Sequence, residues 1–494
     1  MMNTHKQTYD NRNLTLLVDF YELTMGNAYF EQGMRDQIAV YDMFFRNVPD
    51  DGGFAILAGL EQVVEYLANL HFTEADLTYL NGRGLFSPEF IDYLRNFKFE
   101  CDVWAIPEGT PIFPGEPIVR VRGPIIQAQL IETMVLLTIN HQSLIATKTN
   151  RICRAAQGRA ILEFGTRRAQ GFDAANYGAR AAYIGGASAT ANTWADSRFG
   201  VPANGTMAHA WVQSFDSEFE AFVAYAKTYP DHCNLLVDTF STLKSGIPNA
   251  IKVAKEILEP MGKRLVGIRL DSGDIAYLSK KARRMLDEAG LQDCRIFASN
   301  SLDERIIRSL LIQDAKIDVF GVGEKLITAA SSPVFGGVYK LVAMIEKDGT
   351  ITPKIKLSDT FEKATTPGFK DVWRLYESGD HHPVADVLTL TDEIIEDNVP
   401  YEIFDPIEPS KRKTVSDFYA KKLLAPIFEK GELVYQLPDL ETIRAESAQK
   451  IAELWDEVKR LENPHVYYVD LSQRLWDLKT GMLNEIRSRV QKIQ

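Results

Sequence analysis

The chain has 494 residues, 45% hydrophobic and 25% charged, a balance typical of globular domains. Its net charge of −12 excludes the broad basic surface that nucleic-acid binding requires, although a local group of arginines and backbone N–H groups can still hold a small anion. The polar N-terminus, short apolar stretches and four isolated cysteines predict a cytoplasmic protein with no membrane partner, no disulfide framework and no zinc site.

Residues 1–125 are expected to form an N-terminal α+β domain. Apolar residues at helical spacing predict a helix over residues 14–31. A second helix is expected over residues 88–97, because Ser87 is a residue type that caps helices and a proline follows it. The proline- and glycine-rich segment 102–121 predicts short strands joined by a turn.

Residues 126–345 are expected to form an irregular α/β barrel that carries the active site. A long helix over residues 126–157 is followed by short apolar strands that alternate with helices at the spacing of βα units. These strands are predicted at residues 160–164, 234–237, 266–270, 295–298 and 317–320. Five such units favour a closed or nearly closed barrel, and an open doubly wound sheet is the alternative.

Residues 346–494 are expected to form a C-terminal region that is largely helical and packs on the barrel. Asp348 and Gly349 indicate a hairpin near its start. Residues 441–461 and 471–493 have the charged, amphipathic pattern of two helices.

Polar residues follow all five predicted barrel strands, where parallel α/β folds bind their ligands. In chain order they are Gly165, Arg167 and Arg168; Asp238 and Thr239; Arg269, Asp271 and Asp274; Ser299 and Asn300; and Gly321 and Gly323. Arginine suits carboxylates and phosphates, glycine lets backbone N–H groups approach an anion, and aspartate suits ribose hydroxyls or a Mg²⁺ held mainly by substrate phosphates. Asp274 and either Ser299 or Asn300 can instead be helix caps, and one arginine of the pair can face solvent.

His209 lies among small and apolar residues, in the segment 205–210. A partly desolvated histidine there can be a nucleophile or a proton carrier. Taken alone, the pattern favours a core histidine whose ring nitrogens are satisfied. No pattern of a hydrolase triad or of paired zinc-binding histidines accompanies it.

In their order along the chain, these segments resemble the nicotinate phosphoribosyltransferase family, which has the type II phosphoribosyltransferase fold. The matching segments are residues 19–25, 44–46, 163–171, 205–210, 269–274, 299–300, 321–323 and 336–341. The resemblance implies that nicotinate and phosphoribosyl diphosphate give nicotinate mononucleotide and pyrophosphate, in NAD biosynthesis. It also implies ATP as a co-substrate, substrate-bound Mg²⁺, and a homodimer whose active site lies near the subunit interface.

The resemblance implies a role for individual residues as well. ATP phosphorylates His209, Tyr21 stacks on the pyridine ring, and Thr206 and Arg167 lie near nicotinate. The ribose and phosphate groups are assigned to Gly165, Arg269, Asp271, Ser299, Asn300, Gly321 and Gly323, with Thr365 as a weaker match to a phosphoribosyl diphosphate contact.

Glu324 departs from the family pattern, because some relatives have a hydroxyl residue there, and a carboxylate beside the glycines repels phosphate. The alternatives are a nicotinamide or quinolinate phosphoribosyltransferase, which shares the fold, and a nucleotide-sensing barrel without catalysis.

Overall fold

The structure is a computed structural model that describes residues 12–356 and 365–491. The chain forms two compact units, one of Met1–Ser143 with Val334–Gln494 and one of Leu144–Pro333. This division differs from the three consecutive domains expected from the sequence, because the two ends of the chain share one unit.

The described residues form both strands and helices, which alternate mainly between residues 160 and 327. The strands are β1 (Ile38–Phe44), β2 (Ala55–Ile56), β3 (Asp102–Ala105), β4 (Pro111–Ile112), β5 (Val119–Pro124), β6 (Ala160–Glu163), β7 (Ala189–Thr190), β8 (Asn234–Leu236), β9 (Gly267–Leu270), β10 (Arg295–Ser299), β11 (Val319–Val322), β12 (Val338–Ile345), β13 (Ile351–Pro353), β14 (Lys370–Glu377), β15 (Pro383–Leu390), β16 (Tyr401–Phe404), β17 (Arg412–Val415), β18 (Phe418–Lys422), β19 (Ala425–Glu429), β20 (Glu432–Leu433) and β21 (Val469–Leu471). The helices are α1 (Phe20–Glu31), α2 (Leu60–Ala68), α3 (Glu74–Gly82), α4 (Pro88–Arg95), α5 (Ile125–Leu130), α6 (Glu132–Ala155), α7 (Phe172–Ile184), α8 (Thr193–Phe199), α9 (His209–Gln213), α10 (Glu218–Thr228), α11 (Ile247–Val253), α12 (Ile275–Glu288), α13 (Glu304–Ile312), α14 (Glu324–Ile327), α15 (Leu440–Glu453) and α16 (Gln473–Gln491). Within residues 12–356 and 365–491, no helix combines the length and the apolar character needed to cross a bilayer, and the cytoplasmic location stays a prediction.

The first unit is built on a seven-stranded antiparallel sheet with the order β13-β12-β1-β5-β3-β19-β20. Its central strand β1 pairs with β12 and with β5, so that Ile38 lies opposite both Ile345 and Pro124. A four-stranded sheet, β18-β14-β15-β21, has its own core around Trp373, Leu375 and Phe418. Because the large sheet takes strands from both ends of the chain, neither end forms a compact unit by itself.

The prediction that the C-terminal region is largely helical is wrong. Residues 351–433 contain eight strands, β13 to β20, among the residues that the structure describes. The helical pattern is confirmed only for α15 and α16, near the end of the chain. These strands were hard to recognise in the sequence. Strands β14 and β15 are buried on both faces, so they lack the alternation of apolar and polar residues that marks a half-exposed strand.

The second unit is a six-stranded parallel sheet with the order β7-β6-β11-β10-β9-β8. Each of the five predicted barrel strands is confirmed within about two residues, and the short strand β7 was not predicted. Among the described strands, β7 and β8 each pair on one side only, so the sheet is a half-barrel rather than a closed ring. Leu235, Ile268 and Ile296 pack from three neighbouring strands into a buried core with the flanking helices.

Candidate active site

His209 lies at the carboxyl edge of the parallel sheet, as the first residue of α9. Its side chain is 39% exposed, so a ligand can reach the ring. The Nδ1 atom lies 3.1 Å from the hydroxyl oxygen of Thr239, and the Nε2 atom lies 3.8 Å from Asp271 Oδ2. The interpretation of His209 as a buried core histidine is therefore wrong.

Arg269, in strand β9, holds the loop that leads to His209. Its guanidinium donates one hydrogen bond to Thr206 Oγ1 (2.8 Å) and another to the carbonyl oxygen of Met207 (3.0 Å). Burial lowers the pKa of Arg269, although the carboxylates of Asp271 and Asp238 act in the opposite direction. Thr206 and Arg269 thus form one structural group, and both were predicted as site residues.

Asp271 joins three neighbouring strand ends. Its carboxylate accepts a hydrogen bond from the Ser299 hydroxyl at the end of β10. Its backbone N–H donates to Asp238 Oδ2 beyond β8 (2.9 Å), and the Ser272 hydroxyl donates to the same oxygen (2.7 Å). Because β8, β9 and β10 are adjacent and parallel, residues far apart in sequence meet at one edge.

Phe164 fills the space that the glycines of this edge leave open. A Cβ atom added to Gly321 would lie 2.5 Å from a ring carbon of Phe164, and one added to Gly323 would lie 2.9 Å from its carbonyl oxygen. Gly165 is equally confined, with Ile327 only 2.5 Å from its added Cβ. All three glycines are therefore required by close packing, and a contact of their N–H groups with phosphate stays a prediction.

The two arginines after β6 have different surroundings, although both are exposed. Arg168 lies 3.8 Å from the Glu324 carboxylate. Arg167 lies near enough to Arg269 for its charge to lower the pKa of that guanidinium. We therefore expect Arg167 to be the arginine available to a ligand, and Arg168 offsets the charge of Glu324.

Hydrogen bonds show which residues at this edge cap the helices that follow. Asp274 caps α12, because its carboxylate accepts a hydrogen bond from Tyr277 N–H (3.0 Å). Helix α13 is capped by Asp303 instead of Ser299 or Asn300. Asn300 has a φ of 80°, in the left-handed region, which asparagine tolerates better than most non-glycine residues.

Tyr21 and Thr365 belong to the first unit. Tyr21 is 45% exposed, and burial together with the carboxylate of Glu132 raises the pKa of its hydroxyl. Thr365 is buried, and its hydroxyl oxygen accepts a hydrogen bond from Lys356 N–H (3.2 Å). Their contacts with substrate stay predictions.

The first unit also contains a cavity of about 320 Å³ with a cationic lining. Arg46, Lys370 and Lys479 line it together with Asp42, which forms an ion pair with Lys370 (2.7 Å). Burial, and secondarily the charge of Lys370, lowers the pKa of Lys479 to about 8. This lining suits an anionic group.

Glu22, next to Tyr21, gives a prediction about stability. Burial raises the pKa of Glu22 from 4.5 to about 8, so between these pH values the folded chain holds a proton that the unfolded chain releases. The free energy of unfolding should therefore fall as the pH rises through this range. Glu22→Gln cannot titrate, so its stability relative to the wild type is expected to increase with pH, as measured by denaturant unfolding.

The exposed Glu89→Gln is the matched control for that experiment. It should leave the pH dependence of unfolding as in the wild type. Parallel curves for the wild type and Glu22→Gln across the whole range would contradict the raised pKa.

The structure thus brings together most of the predicted site residues. Asp271 contacts both His209 and Ser299, and Arg269 contacts Thr206. The same or neighbouring strand ends carry Gly165, Arg167, Asn300, Gly321 and Gly323. Asp238 and Thr239 were predicted at a strand end but were given no role, and Phe164 was not predicted as a site residue. Their position at strand ends was visible in the sequence, but nothing in their residue types showed which neighbour they contact.

Comparisons with known proteins identify relatives over nearly the whole length of the chain. Family profiles described as the nicotinate phosphoribosyltransferase (NAPRTase) N-terminal domain, family and C-terminal domain match residues 16–140, 160–392 and 369–479. The nicotinate phosphoribosyltransferase of Bacillus subtilis (strain 168) is 47% identical over 486 residues, which cover 98% of each chain.

Two solved structures are similar as well. The crystal structure of human nicotinic acid phosphoribosyltransferase has a TM-score of 0.83 and 31% identity, and the match covers 94% of this chain and 99% of the human one. The nicotinate-nucleotide pyrophosphorylase from Pyrococcus furiosus shares the fold, with a TM-score of 0.67, 24% identity, and coverage of 92% and 99%. By its matched domains, its sequence identity and its strand-end motifs, the chain belongs to the nicotinate phosphoribosyltransferase family.

Proposed function

We propose that this chain transfers the phosphoribosyl group of phosphoribosyl diphosphate to nicotinate, giving nicotinate mononucleotide and pyrophosphate for NAD biosynthesis. One observation carries the proposal: His209, Asp271 and Ser299 are in contact at the carboxyl edge of the half-barrel, beside Arg269 and Thr206. The identity to the Bacillus subtilis relative over nearly the whole chain supports the same reaction.

The residues at this edge suit a reaction in which positive charge develops on the ribose. The ring nitrogen of nicotinate is itself a nucleophile, so the protein has to align the reactants and stabilise charge. The carboxylate of Asp271 provides negative charge beside the expected ribosyl centre, and Arg167 suits the carboxylate of nicotinate. Tyr21 is proposed to stack on the pyridine ring, and Thr365 to contact the diphosphate.

Mg²⁺ is proposed as a substrate-bound ion that neutralises the leaving pyrophosphate. Asp238 fits such an ion, because its Oδ1 is buried and accepts no hydrogen bond within the described residues. A carboxylate oxygen is a ligand that Mg²⁺ prefers, and the ion takes its remaining ligands from phosphates and water.

ATP is proposed to phosphorylate His209. The ring is exposed enough to be reached, and its contacts with Thr239 and Asp271 leave it held from two sides. A phosphate on this ring adds negative charge that arginines and backbone N–H groups can pair, which orders the surrounding loops.

The cationic cavity of the first unit, taken by itself, is suited to an anion. Arg46, in its lining, belongs to a segment by which the sequence resembles the family. We also propose a homodimer with the active site near the subunit interface, which sedimentation of the full chain tests.

The test of the proposed function is an assay of pyrophosphate release with each of three pyridines. Release with nicotinate is expected to be at least tenfold faster than with nicotinamide or quinolinate, which corresponds to about 1.4 kcal/mol in transition-state binding, and ATP is expected to increase it. The control omits the pyridine. Faster release with another pyridine would replace the proposed substrate, and binding of phosphoribosyl diphosphate without release would indicate a sensor.

A further inference from the structure

The contacts of His209 with Thr239 and Asp271 define how its imidazole is held. We propose that Thr239 is a positioning residue that donates its hydroxyl hydrogen to His209 Nδ1 and so keeps the ring proton on Nε2, facing Asp271. The consequence for ATP coupling rests on the proposed function of His209: Nε2 forms a bond to the γ-phosphorus of ATP, the bond from that phosphorus to ADP breaks, and the Nε2 proton passes to the nearby Asp271 carboxylate. The position of the ring proton before the reaction does not rest on that function.

Two distances decide between the neutral forms of the ring. Thr239 Oγ1 is 3.1 Å from Nδ1, within hydrogen-bond distance, and a hydroxyl can donate or accept there. Asp271 Oδ2 is 3.8 Å from Nε2, too far for a short hydrogen bond but close enough for a strong electrostatic effect. With the proton on Nε2, an N–H group lies 3.8 Å from a carboxylate oxygen, whereas with the proton on Nδ1 the Nε2 lone pair lies there and is repelled. The first form is favoured, and in it Thr239 must be the donor.

Thr239 is itself held firmly by the segment around it. Val237, two residues earlier, donates its N–H to the carbonyl oxygen of Arg269 (3.2 Å). Further on, Gly246 packs so tightly against Val237 that an added Cβ would overlap its carbonyl oxygen. The segment after Thr239 is therefore folded back onto the end of β8, which restricts the range of positions open to the hydroxyl.

A second connection joins the segment after Thr239 to α10, the helix that follows α9. The carboxylate of Glu218, at the start of α10, accepts hydrogen bonds from the Ser245 hydroxyl and from Asn249 Nδ2 (3.0 Å). The segments that carry His209 and Thr239 are thus tied together by a buried carboxylate, independently of the contact between the two side chains. A change at Thr239 that keeps its shape should leave this connection intact.

The direct test is the protonation of the two ring nitrogens, read from ¹⁵N–¹H correlation spectra of histidine-labelled full-length protein at a pH where the ring is neutral. The His209 signals are assigned by their loss in His209→Gln. In the wild type we expect a proton on Nε2 and none on Nδ1, and the same in Thr239→Ser. In Thr239→Val, which keeps the shape and removes the donor, we expect the Nδ1 resonance to shift as its hydrogen bond is lost. A wild-type proton on Nδ1, or an Nδ1 resonance insensitive to the Val substitution, overturns the proposal.

The second measurement is the ratio of initial rates with and without ATP. Thr239→Val is expected to reduce this ratio by about fivefold, the equivalent of one hydrogen bond of about 1 kcal/mol, and Thr239→Ser to restore it. Thr228→Val is the matched control, because Thr228 is exposed and its hydroxyl donates to the Ala224 carbonyl oxygen within its own helix. If the spectra show the expected proton and yet neither Thr239→Val nor His209→Gln changes the ATP ratio, the positioning role stands and the proposed phosphorylation of His209 fails.

Discussion

Replacing His209 with alanine is expected to abolish the stimulation of nicotinate phosphoribosyl transfer by ATP, while slow ATP-independent release of pyrophosphate remains detectable. The reason is that the imidazole is the proposed acceptor of phosphate, whereas the groups suited to ribose and phosphate, among them Asp271 and Arg269, are separate side chains. Alanine removes the ring's contacts with Thr239 and Asp271, but the hydrogen bonds of Arg269 to the preceding loop remain, so that loop should stay folded. The measurement is the initial rate of pyrophosphate release with and without ATP.

His232→Ala is the matched control for this experiment. His232 is also in the second unit, but it is exposed and lies between α10 and β8, at the amino end of that strand and away from the carboxyl edge of the sheet. It should keep the stimulation by ATP and the incorporation of acid-labile phosphate from γ-labelled ATP. Full stimulation in His209→Ala, or equal label in the wild type and His209→Ala, would rule out the phosphohistidine.

The parallel sheet could be predicted because its strands are short apolar runs, and the helices between them have apolar residues at helical spacing. The strands 234–236, 267–270 and 295–299 are each followed within two residues by polar residues, which mark their carboxyl ends. The large sheet of the first unit could not be predicted in the same way. Its neighbours β1 and β12 are about 300 residues apart, and no local pattern encodes such a pairing.

The residues of the candidate site could largely be predicted from the sequence. The contacts between their side chains could not. Parallel topology is enough to place Asp271 and Ser299 at one edge once their strands are known. The tight fit of Gly321 against Phe164 and the contact of Thr239 with His209 depend on side-chain positions to within an ångström or so, which no spacing along the chain specifies. The same holds for Glu324, whose charge looked unfavourable until Arg168 was found beside it.

The two aspartates of one short segment are expected to respond very differently to substitution. Asp271→Asn should lower kcat/KM by about a hundredfold or more, because it removes the charge beside the expected ribosyl centre from a preorganised site. Asp274→Ala should leave kcat/KM near the wild-type value and lower the free energy of unfolding by about 1 kcal/mol, the typical effect of losing a helix cap. Steady-state kinetics and denaturant unfolding of both variants measure the difference.

Asp274→Ser completes this comparison, because serine can still accept the hydrogen bond from Tyr277 and should restore the lost stability. Asparagine at 271 keeps an oxygen for the Ser299 hydroxyl, so a loss of activity there reports on charge more than on packing. Equal losses of kcat/KM at both positions would show that the segment acts only by its fold. A loss confined to Asp271 would separate the residue that acts on the substrate from the one that begins the helix, although only two residues lie between them.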